Sequence, residues 1–230
     1  MGQEQVIVAL DMKNADEAVA LAQQLAGRVW GFKVHHLLLQ EALLNGRNII
    51  SELKQYGKVM YDLKHHDVPT TVGDEVAVAA KAGADIITVH AKGGVEMIKE
   101  AVKFRQGAMI AAITELTSLT ATDILRQSGK TPQQSVSDLA QDAAEGGAQA
   151  VVSSPQELEI LRNHEDPAVR ALKRITPGIR GPNDAKDDQK RFATANEALE
   201  WGADLLVVGR PITKAKNPLE ALVGLFKNAV

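Results

Sequence analysis

The sequence contains no cysteine and few aromatic residues, and both absences narrow the possible functions. Without cysteine there is no disulfide framework, no thiol nucleophile and no thiolate metal site. Aromatic residues make up 3% of the 230 residues, so the stacking platforms that bind single-stranded nucleic acid are not expected. The net charge of −3 at pH 7 also argues against a nucleic-acid partner, since such surfaces are normally basic.

The sequence also lacks long apolar runs. None approaches the roughly 18 residues of a membrane-spanning helix, and Met1-Gly2-Gln3-Glu4 lacks the basic start of a signal peptide. We therefore expect a soluble, cytoplasmic protein with no membrane partner. Hydrophobic residues still make up 45% of the chain, which is enough for one sizeable core.

Short apolar segments recur along the chain between helical patterns, as buried strands do. They predict eight strands, at residues 6–10, 29–34, 58–63, 85–90, 108–114, 148–152, 172–176 and 205–208. Helix-start signals such as Thr131 with Gln134 lie between them. This alternation predicts an α/β fold, a single (β/α)8 TIM barrel over residues 1–230. A doubly wound open sheet is the competitor, although no Gly-x-Gly-x-x-Gly follows the first strand.

The third predicted strand ends in a run of charged residues, Asp62-Leu63-Lys64-His65-His66-Asp67. Side chains two apart on a strand share a face, so Asp62 and Lys64 should point the same way. Asp67 lies beyond the strand, where Pro69 can open a helix. Buried charges are costly unless they neutralise one another. The cluster is therefore a structural ion pair at a strand end, a solvated turn or part of an active site.

Polar residues collect at the predicted carboxyl ends of the strands, which form one mouth in a barrel and carry the chemistry there. They are Asp11, Lys33, Asp62, Lys64, His90, Thr117, Arg180, Gly209 and Arg210, with Asp67 in the third loop. Helix caps explain any one of these residues but explain the whole set poorly. Gly209 and Arg210 favour a phosphate, because glycine lets the backbone approach a ligand and arginine pairs with its oxygens.

A long polar segment, residues 180–191, follows the seventh predicted strand. Such a run is usually a solvated surface loop. The functional alternative is a lid that closes over a ligand and that Gln189 helps to fasten.

Several motifs taken together resemble the orotidine 5′-phosphate decarboxylase family, particularly its bacterial form. The segment from Asp62 to Thr71 is similar to the family's Asp-x-Lys-x-x-Asp signature, which related barrel aldolases and decarboxylases share. Leu116-Thr117-Ser118 resembles the family's pyrimidine-contacting segment. Three further segments resemble its phosphate-side motifs in the same order: Thr176-Pro177-Gly178-Ile179-Arg180, Asp188-Gln189 and Gly209-Arg210-Pro211-Ile212.

The resemblance runs from Val6 to Leu222, with three departures from the family pattern. His35 stands where glycine is usual, His65 where an aromatic residue is common, and Thr70 where asparagine is common. None of them removes a charged member of the cluster.

The resemblance implies decarboxylation of orotidine 5′-phosphate to uridine 5′-phosphate in pyrimidine biosynthesis, with no cofactor and no metal. It implies that Lys64 protonates the C6 carbanion, that Asp62 and Asp67 hold the ammonium group, and that Lys33 adds a second positive charge. The substrate contacts that it implies are Asp11 and Lys33 on the ribose, Asp62 near the carboxylate, Thr117 on the pyrimidine, and Arg180, Gln189, Gly209 and Arg210 on the phosphate. It further implies a homodimer in which Asp67 and Thr71 reach the partner's site.

Two other functions fit parts of the sequence. In a metal-dependent barrel lyase, such as a hexulose-phosphate synthase, Asp62 and a nearby acid would bind Mg²⁺, although Lys33 and Lys64 oppose a cation. The other alternative is a non-catalytic nucleotide-binding barrel, against which the costly charged cluster argues. The pairs His35-His36 and His65-His66 are poor metal sites, because adjacent strand residues face opposite ways.

Overall fold

The computed structural model describes residues 2–180 and 192–226, and within them eight parallel strands close into a barrel in chain order. They are β1 (Val6–Ala9), β2 (Gly31–Val34), β3 (Lys58–His65), β4 (Ile86–His90), β5 (Met109–Ile113), β6 (Ala150–Val152), β7 (Lys173–Thr176) and β8 (Leu205–Val208). β1 also pairs with β8, so the (β/α)8 prediction is confirmed and the open-sheet alternative is wrong. That residues 1–230 form one domain stays a prediction.

Helices connect the strands, and several of them begin at signals that the sequence carries. They are α1 (Ala15–Leu25), α2 (His36–Leu44), α3 (Ile49–Leu53), α4 (Pro69–Lys81), α5 (Gly94–Phe104), α6 (Ala121–Ser128), α7 (Pro132–Glu145), α8 (Leu158–Arg162), α9 (Pro167–Ala171), α10 (Ala195–Glu200), α11 (Arg210–Thr213) and α12 (Pro218–Gly224). The Thr131 hydroxyl accepts from the Gln134 backbone N–H, and the Gln134 side chain accepts from the Thr131 backbone N–H. This reciprocal pair starts α7 where it was predicted.

Membrane-spanning helices are not found in the described part of the chain, where every helix is too short or too polar to cross a bilayer.

The strands are apolar on both faces. Their inward side chains fill the barrel: Ile7, Ala9, Met60, Ile86, Ala111, Ile113, Ala150, Val152, Ile175, Leu205 and Val207. Their outward side chains, such as Val8 and Ile87, pack under the helices. Burial on both faces explains why the strands read as continuous apolar runs.

Alternation along each strand also carries polar groups to the mouth of the barrel. The inward position after Ala9 is Asp11, and the inward position after Met60 is Asp62. The barrel core below therefore positions the polar groups above it.

Candidate active site

A cavity of about 270 Å³ opens at the carboxyl ends of the strands. Its base is apolar and includes Ala9, Met60 and Val207. The predicted site residues that line it are Asp11, Lys33, Asp62, Lys64, Thr117, Arg180, Gly209 and Arg210. The fold thus brings residues from six strand ends to one cavity, as the barrel prediction required.

A chain of ion pairs crosses this cavity. The Lys33 Nζ lies 2.8 Å from Asp11 Oδ1 and 3.2 Å from Asp62 Oδ2. The Lys64 Nζ lies 2.9 Å from the same Asp62 oxygen. The side chains of Lys33 and Asp62 are 10% and 8% exposed, whereas that of Lys64 is 40% exposed. The Lys64 side chain is therefore accessible to a ligand, whereas Asp62, which it contacts, and Lys33 are buried.

Burial and ion pairing act in opposite directions on the pKa values of the buried pair. Desolvation raises the pKa of Asp62, but the charges of Lys33 and Lys64 and their hydrogen bonds outweigh it and hold this pKa below its ordinary value. Desolvation lowers the pKa of Lys33, but Asp62 and Asp11 outweigh it and raise this pKa. Both groups therefore stay charged at neutral pH.

Lys64 adopts an unusual backbone conformation at the end of β3. Its φ of 56° lies in the left-handed region, which costs a non-glycine residue about 1–3 kcal/mol and is concentrated at functional sites. The pairing of β3 with β4 also shifts register between Tyr61 and His65. Asp62 and Lys64 thus share the cavity as alternation predicted, but through an irregularity that re-aims Lys64.

Thr88, in β4, holds this irregularity, and it was not predicted from the sequence. It is fully buried, and its hydroxyl accepts a hydrogen bond from the Lys64 backbone N–H at 2.9 Å. The same hydroxyl donates to Asp62 Oδ1 at 3.1 Å. One hydroxyl therefore fixes both the carboxylate and the strained backbone beside it. The available signal was a polar residue at an inward position of β4, between Ile86 and His90.

Glu115 and Ser153 also line the cavity and were not predicted. Glu115 follows Ile113 by two residues, so the alternation that identified Asp11 and Asp62 applies to it as well. Ser153 follows β6, and its buried hydroxyl has no hydrogen-bond partner in the part of the chain that the structure describes.

Asp67 and Thr71 are predicted site residues that do not line the cavity of their own chain. Asp67 is exposed, and its Oδ1 accepts a hydrogen bond from the Val68 backbone N–H at 2.7 Å. Thr71 lies in the first turn of α4. The single chain therefore brings Asp62 and Lys64 together without Asp67.

Gln189 belongs to residues 181–191, which lie outside the described residues. Its role in a lid stays a prediction. Arg180, directly before this segment, lines the cavity and donates from Nη1 to the Ile179 carbonyl oxygen at 3.1 Å.

The histidine pairs face different partners. The His35 Nε2 lies 3.5 Å from Asp11 Oδ1, and the His65 Nδ1 lies 2.5 Å from Glu75 Oε2. Within residues 2–180 and 192–226, no group of three or more His, Asp or Glu side chains is arranged to hold a metal ion.

Comparisons with known proteins match almost the whole chain. The model of the orotidine 5′-phosphate decarboxylase / HUMPS family matches residues 4–224. An orotidine 5′-phosphate decarboxylase from Syntrophomonas wolfei is 40% identical and covers 97% of each chain. One from Haemophilus influenzae (strain 86-028NP) is 38% identical and covers 94% of this chain and 95% of its own.

Solved structures show the same correspondence. The crystal structure of orotidine 5′-phosphate decarboxylase from Lactobacillus acidophilus is 34% identical, with a TM-score of 0.80 over 96% of this chain and 97% of that chain. The enzyme of the same name from Pyrococcus horikoshii OT3 is 23% identical, with a TM-score of 0.76 over 96% of each chain. At that identity the second likeness shows the fold alone.

Proposed function

The chain belongs to the orotidine 5′-phosphate decarboxylase / HUMPS family, and on that premise we propose a mechanism in which Lys64 supplies the proton. The reaction is the decarboxylation of orotidine 5′-phosphate to uridine 5′-phosphate, a lyase reaction of pyrimidine biosynthesis that needs no cofactor. The family description carries two names, and the relatives at 37–40% identity all carry the decarboxylase name. The resemblance to this family is confirmed.

The chemistry demands a localised positive charge beside C6 of the pyrimidine. Breaking the bond between C6 and the carboxylate releases CO2 and leaves an electron pair in an sp² orbital in the ring plane. The ring π-system cannot delocalise this pair, so the site must stabilise it electrostatically and then protonate it. Lys64 performs both tasks, since its ammonium attracts the developing anion and transfers a proton from Nζ to C6. The neutral amine then takes a proton from solvent.

The observation that carries this proposal is the position of the Lys64 Nζ, which lies inside the cavity 2.9 Å from Asp62 Oδ2. Lys33 contacts the same oxygen from the buried side, so the charges stand in place before a substrate enters. Such preorganised charges stabilise a transition state without reorganisation during the reaction. A substrate carboxylate placed next to Asp62 would be repelled by the like charge of Asp62. Loss of that carboxylate as CO2 would relieve the repulsion.

The remaining cavity residues are assigned to substrate binding. Asp11 and Lys33 are assigned to the ribose hydroxyls and Thr117 to the pyrimidine. The phosphate is assigned to Arg180, Gly209 and Arg210, with Gln189 as a further predicted contact. Binding energy from the remote phosphate holds the ring against Lys64 and so contributes to the chemical step as well as to affinity.

The active unit is assigned as a cytoplasmic homodimer. The exposed Asp67 carboxylate supports this assignment, because it lies outside the cavity of its own chain. The adjacent Val68 is 58% exposed, and an apolar side chain of this kind gains from burial against a second copy. In the dimer, Asp67 and Thr71 complete the partner's site, and Asp67 pairs with the Lys64 ammonium there.

The substitution Lys64→Ala tests the proton donor. The ultraviolet absorbance change of orotidine 5′-phosphate should report no turnover, while calorimetry should still detect binding of uridine 5′-phosphate. Lys99→Ala is the matched control, because Lys99 is an ion-paired lysine on the outer helix α5, about half exposed. Decarboxylation by the Lys64→Ala variant at the control rate would refute the assigned role.

The same assay, repeated with a chelator, tests the metal-dependent lyase alternative. The rate should be unchanged, because the charges assigned to the chemical step belong to side chains. A rate that falls with chelator and returns with Mg²⁺ would favour the alternative.

A further inference from the structure

The wall of the cavity after β5 contains a buried ion-pair network that the proposed mechanism does not use. The Glu115 side chain is 1% exposed, and both of its carboxylate oxygens have partners. Its Oε2 lies 2.8 Å from the Lys92 Nζ, and its Oε1 accepts from the Ser135 hydroxyl at 2.6 Å. The Lys92 Nζ also donates to Gln127 Oε1 at 3.4 Å.

These four side chains join four parts of the barrel. Lys92 lies in the turn after β4, Glu115 lies directly after β5, Gln127 lies in α6, and Ser135 lies in α7. The segment 116–120 runs from Glu115 to the start of α6. The network therefore fixes the residue before this segment and, through Lys92 and Gln127, contacts the helix that follows it.

The far end of the segment has a second anchor. The Thr120 hydroxyl accepts from the Asp123 backbone N–H at 3.1 Å, and Asp123 Oδ2 accepts from the Thr120 backbone N–H at 2.9 Å. Thr117, which lines the cavity, thus sits in a short connection that is anchored on both sides.

The Glu115 carboxylate stabilises the cavity wall and does not bind a ligand. Each oxygen already has a partner within the protein, and the side chain is 1% exposed, so a substrate has little access to it. A buried ion pair is also a costly way to fill a wall, since apolar residues of similar volume stabilise as well or better. An ion pair with fixed hydrogen bonds does, however, hold the backbone of its residues in a defined position.

We propose that Glu115 and Lys92 are positioning residues that hold the 116–118 segment so that Thr117 meets the pyrimidine of the substrate. This inference rests on the proposed function, because it assigns the base-binding part of that same site. The phosphate-side residues Arg180 and Arg210 follow β7 and β8, on other strands. The network should therefore govern recognition of the base and leave recognition of the phosphate unchanged.

Two ligands that differ only in the base separate these effects. Uridine 5′-phosphate carries the pyrimidine, the ribose and the phosphate, whereas ribose 5-phosphate lacks the pyrimidine. In Glu115→Gln and in Lys92→Met, the dissociation constant of uridine 5′-phosphate should rise about tenfold, or about 1.4 kcal/mol. That of ribose 5-phosphate should change less than about twofold. Each substitution also changes the net charge of the protein. This change acts on both phosphate ligands alike, so its effect cancels in the ratio of their dissociation constants.

The matched control is Lys99→Met, which breaks an exposed lysine–glutamate pair on α5. It should leave the ratio of the two dissociation constants at the wild-type value. In the double variant Lys92→Met with Glu115→Gln, the ratio should change by less than the product of the two single changes, because the residues act as one unit.

An equal loss for both ligands would overturn the proposal, since it would indicate a general loss of structure, and so would an unchanged ratio in both single variants. If Glu115→Gln does not fold, Lys92→Met decides the question, because the Lys92 side chain is 30% exposed and its loss disturbs packing less. Failure of the wild-type protein to consume orotidine 5′-phosphate is a separate result. It would refute the proposed function whatever the variants do.

Discussion

Replacing Thr88 by valine removes one hydroxyl from the centre of the charged cluster and leaves the shape of the side chain. In the wild-type protein this hydroxyl donates to Asp62 Oδ1 at 3.1 Å and accepts from the Lys64 backbone N–H at 2.9 Å. Valine also suits a strand, since its branched side chain packs on the pleated surface as threonine does. The substitution therefore tests the two hydrogen bonds and little else.

The magnitude of the effect follows from the partners of that hydroxyl. A hydrogen bond to a charged group contributes about 1.5–3 kcal/mol, and a buried donor left without an acceptor costs about 1–3 kcal/mol. Because Asp62 keeps both lysine partners and the two effects overlap, we expect Thr88→Val to lower the free energy of unfolding by about 2–4 kcal/mol. Since the Lys64 backbone loses its anchor, kcat should fall about tenfold to a hundredfold.

Thr114→Val is a matched control for this experiment. Thr114 is also fully buried, and its hydroxyl donates to the neutral Val152 carbonyl oxygen at 2.9 Å. That carbonyl still accepts from the Thr114 backbone N–H at 3.1 Å after the substitution. The control should lose about 1 kcal/mol of stability and keep kcat within about twofold.

Urea denaturation measures the stability of both variants, and the ultraviolet assay at saturating orotidine 5′-phosphate measures kcat. A Thr88→Val protein with wild-type kcat would show that the hydroxyl does not set the position of Lys64. Equal losses of kcat in Thr88→Val and Thr114→Val would point to general destabilisation instead.

Three further predictions concern the phosphate, the partner subunit and pH. Arg210→Ala should lower kcat/KM at least about tenfold, or about 1.4 kcal/mol, because it removes a phosphate contact; an unchanged value would exclude Arg210 from the site. Mixing and reassembling the inactive Lys64→Ala and Asp67→Ala proteins should restore about a quarter of wild-type activity, since half of the dimers are mixed and one of their two sites is intact. No recovery would place Asp67 in its own chain's site. Burial, together with His66 and Lys92, lowers the pKa of His90 to about 4 from the ordinary 6.5. Between pH 6.5 and about pH 4, the unfolded chain therefore binds a proton at His90 that the folded chain does not, and the free energy of unfolding falls as the pH falls. In urea titrations, His90→Gln should remove about 1 kcal/mol of that fall, allowing for solvent screening; a fall equal to that of the wild-type protein would contradict the assignment.

The strands were predictable because the barrel buries both of their faces. β8 was predicted at residues 205–208 and observed as Leu205–Val208, and each of the other seven strands overlaps its prediction. The start of α4 was also predictable, because Pro69 was expected to open a helix and α4 begins there, although its apolar helical pattern begins only at Val72. Proline lacks the backbone N–H that the first helical turn does not need, so the helix extends beyond its apolar pattern.

The alternation of side chains along a strand also predicted residues that line the cavity, such as Asp11 and Asp62. This prediction needs only the position at which each strand ends. It could not assign Thr88, since buried threonines are ordinary in strands and its partner Asp62 lies 26 positions away in the chain. The role proposed for Asp67 in a partner's site came from the family resemblance, and the single chain shows only that its carboxylate lies outside its own cavity.

The conformation of Lys64 shows why the charges were easier to predict than their arrangement. The Lys64 Nζ lies 2.9 Å from the Asp62 carboxylate while the Lys64 side chain remains 40% exposed. The left-handed φ and the shifted register re-aim the side chain. The ion pair and the Thr88 hydrogen bond offset a strain of about 1–3 kcal/mol. Since both stabilising contacts come from outside the residue, the strained backbone depends on the assembled barrel and is not encoded in the local sequence.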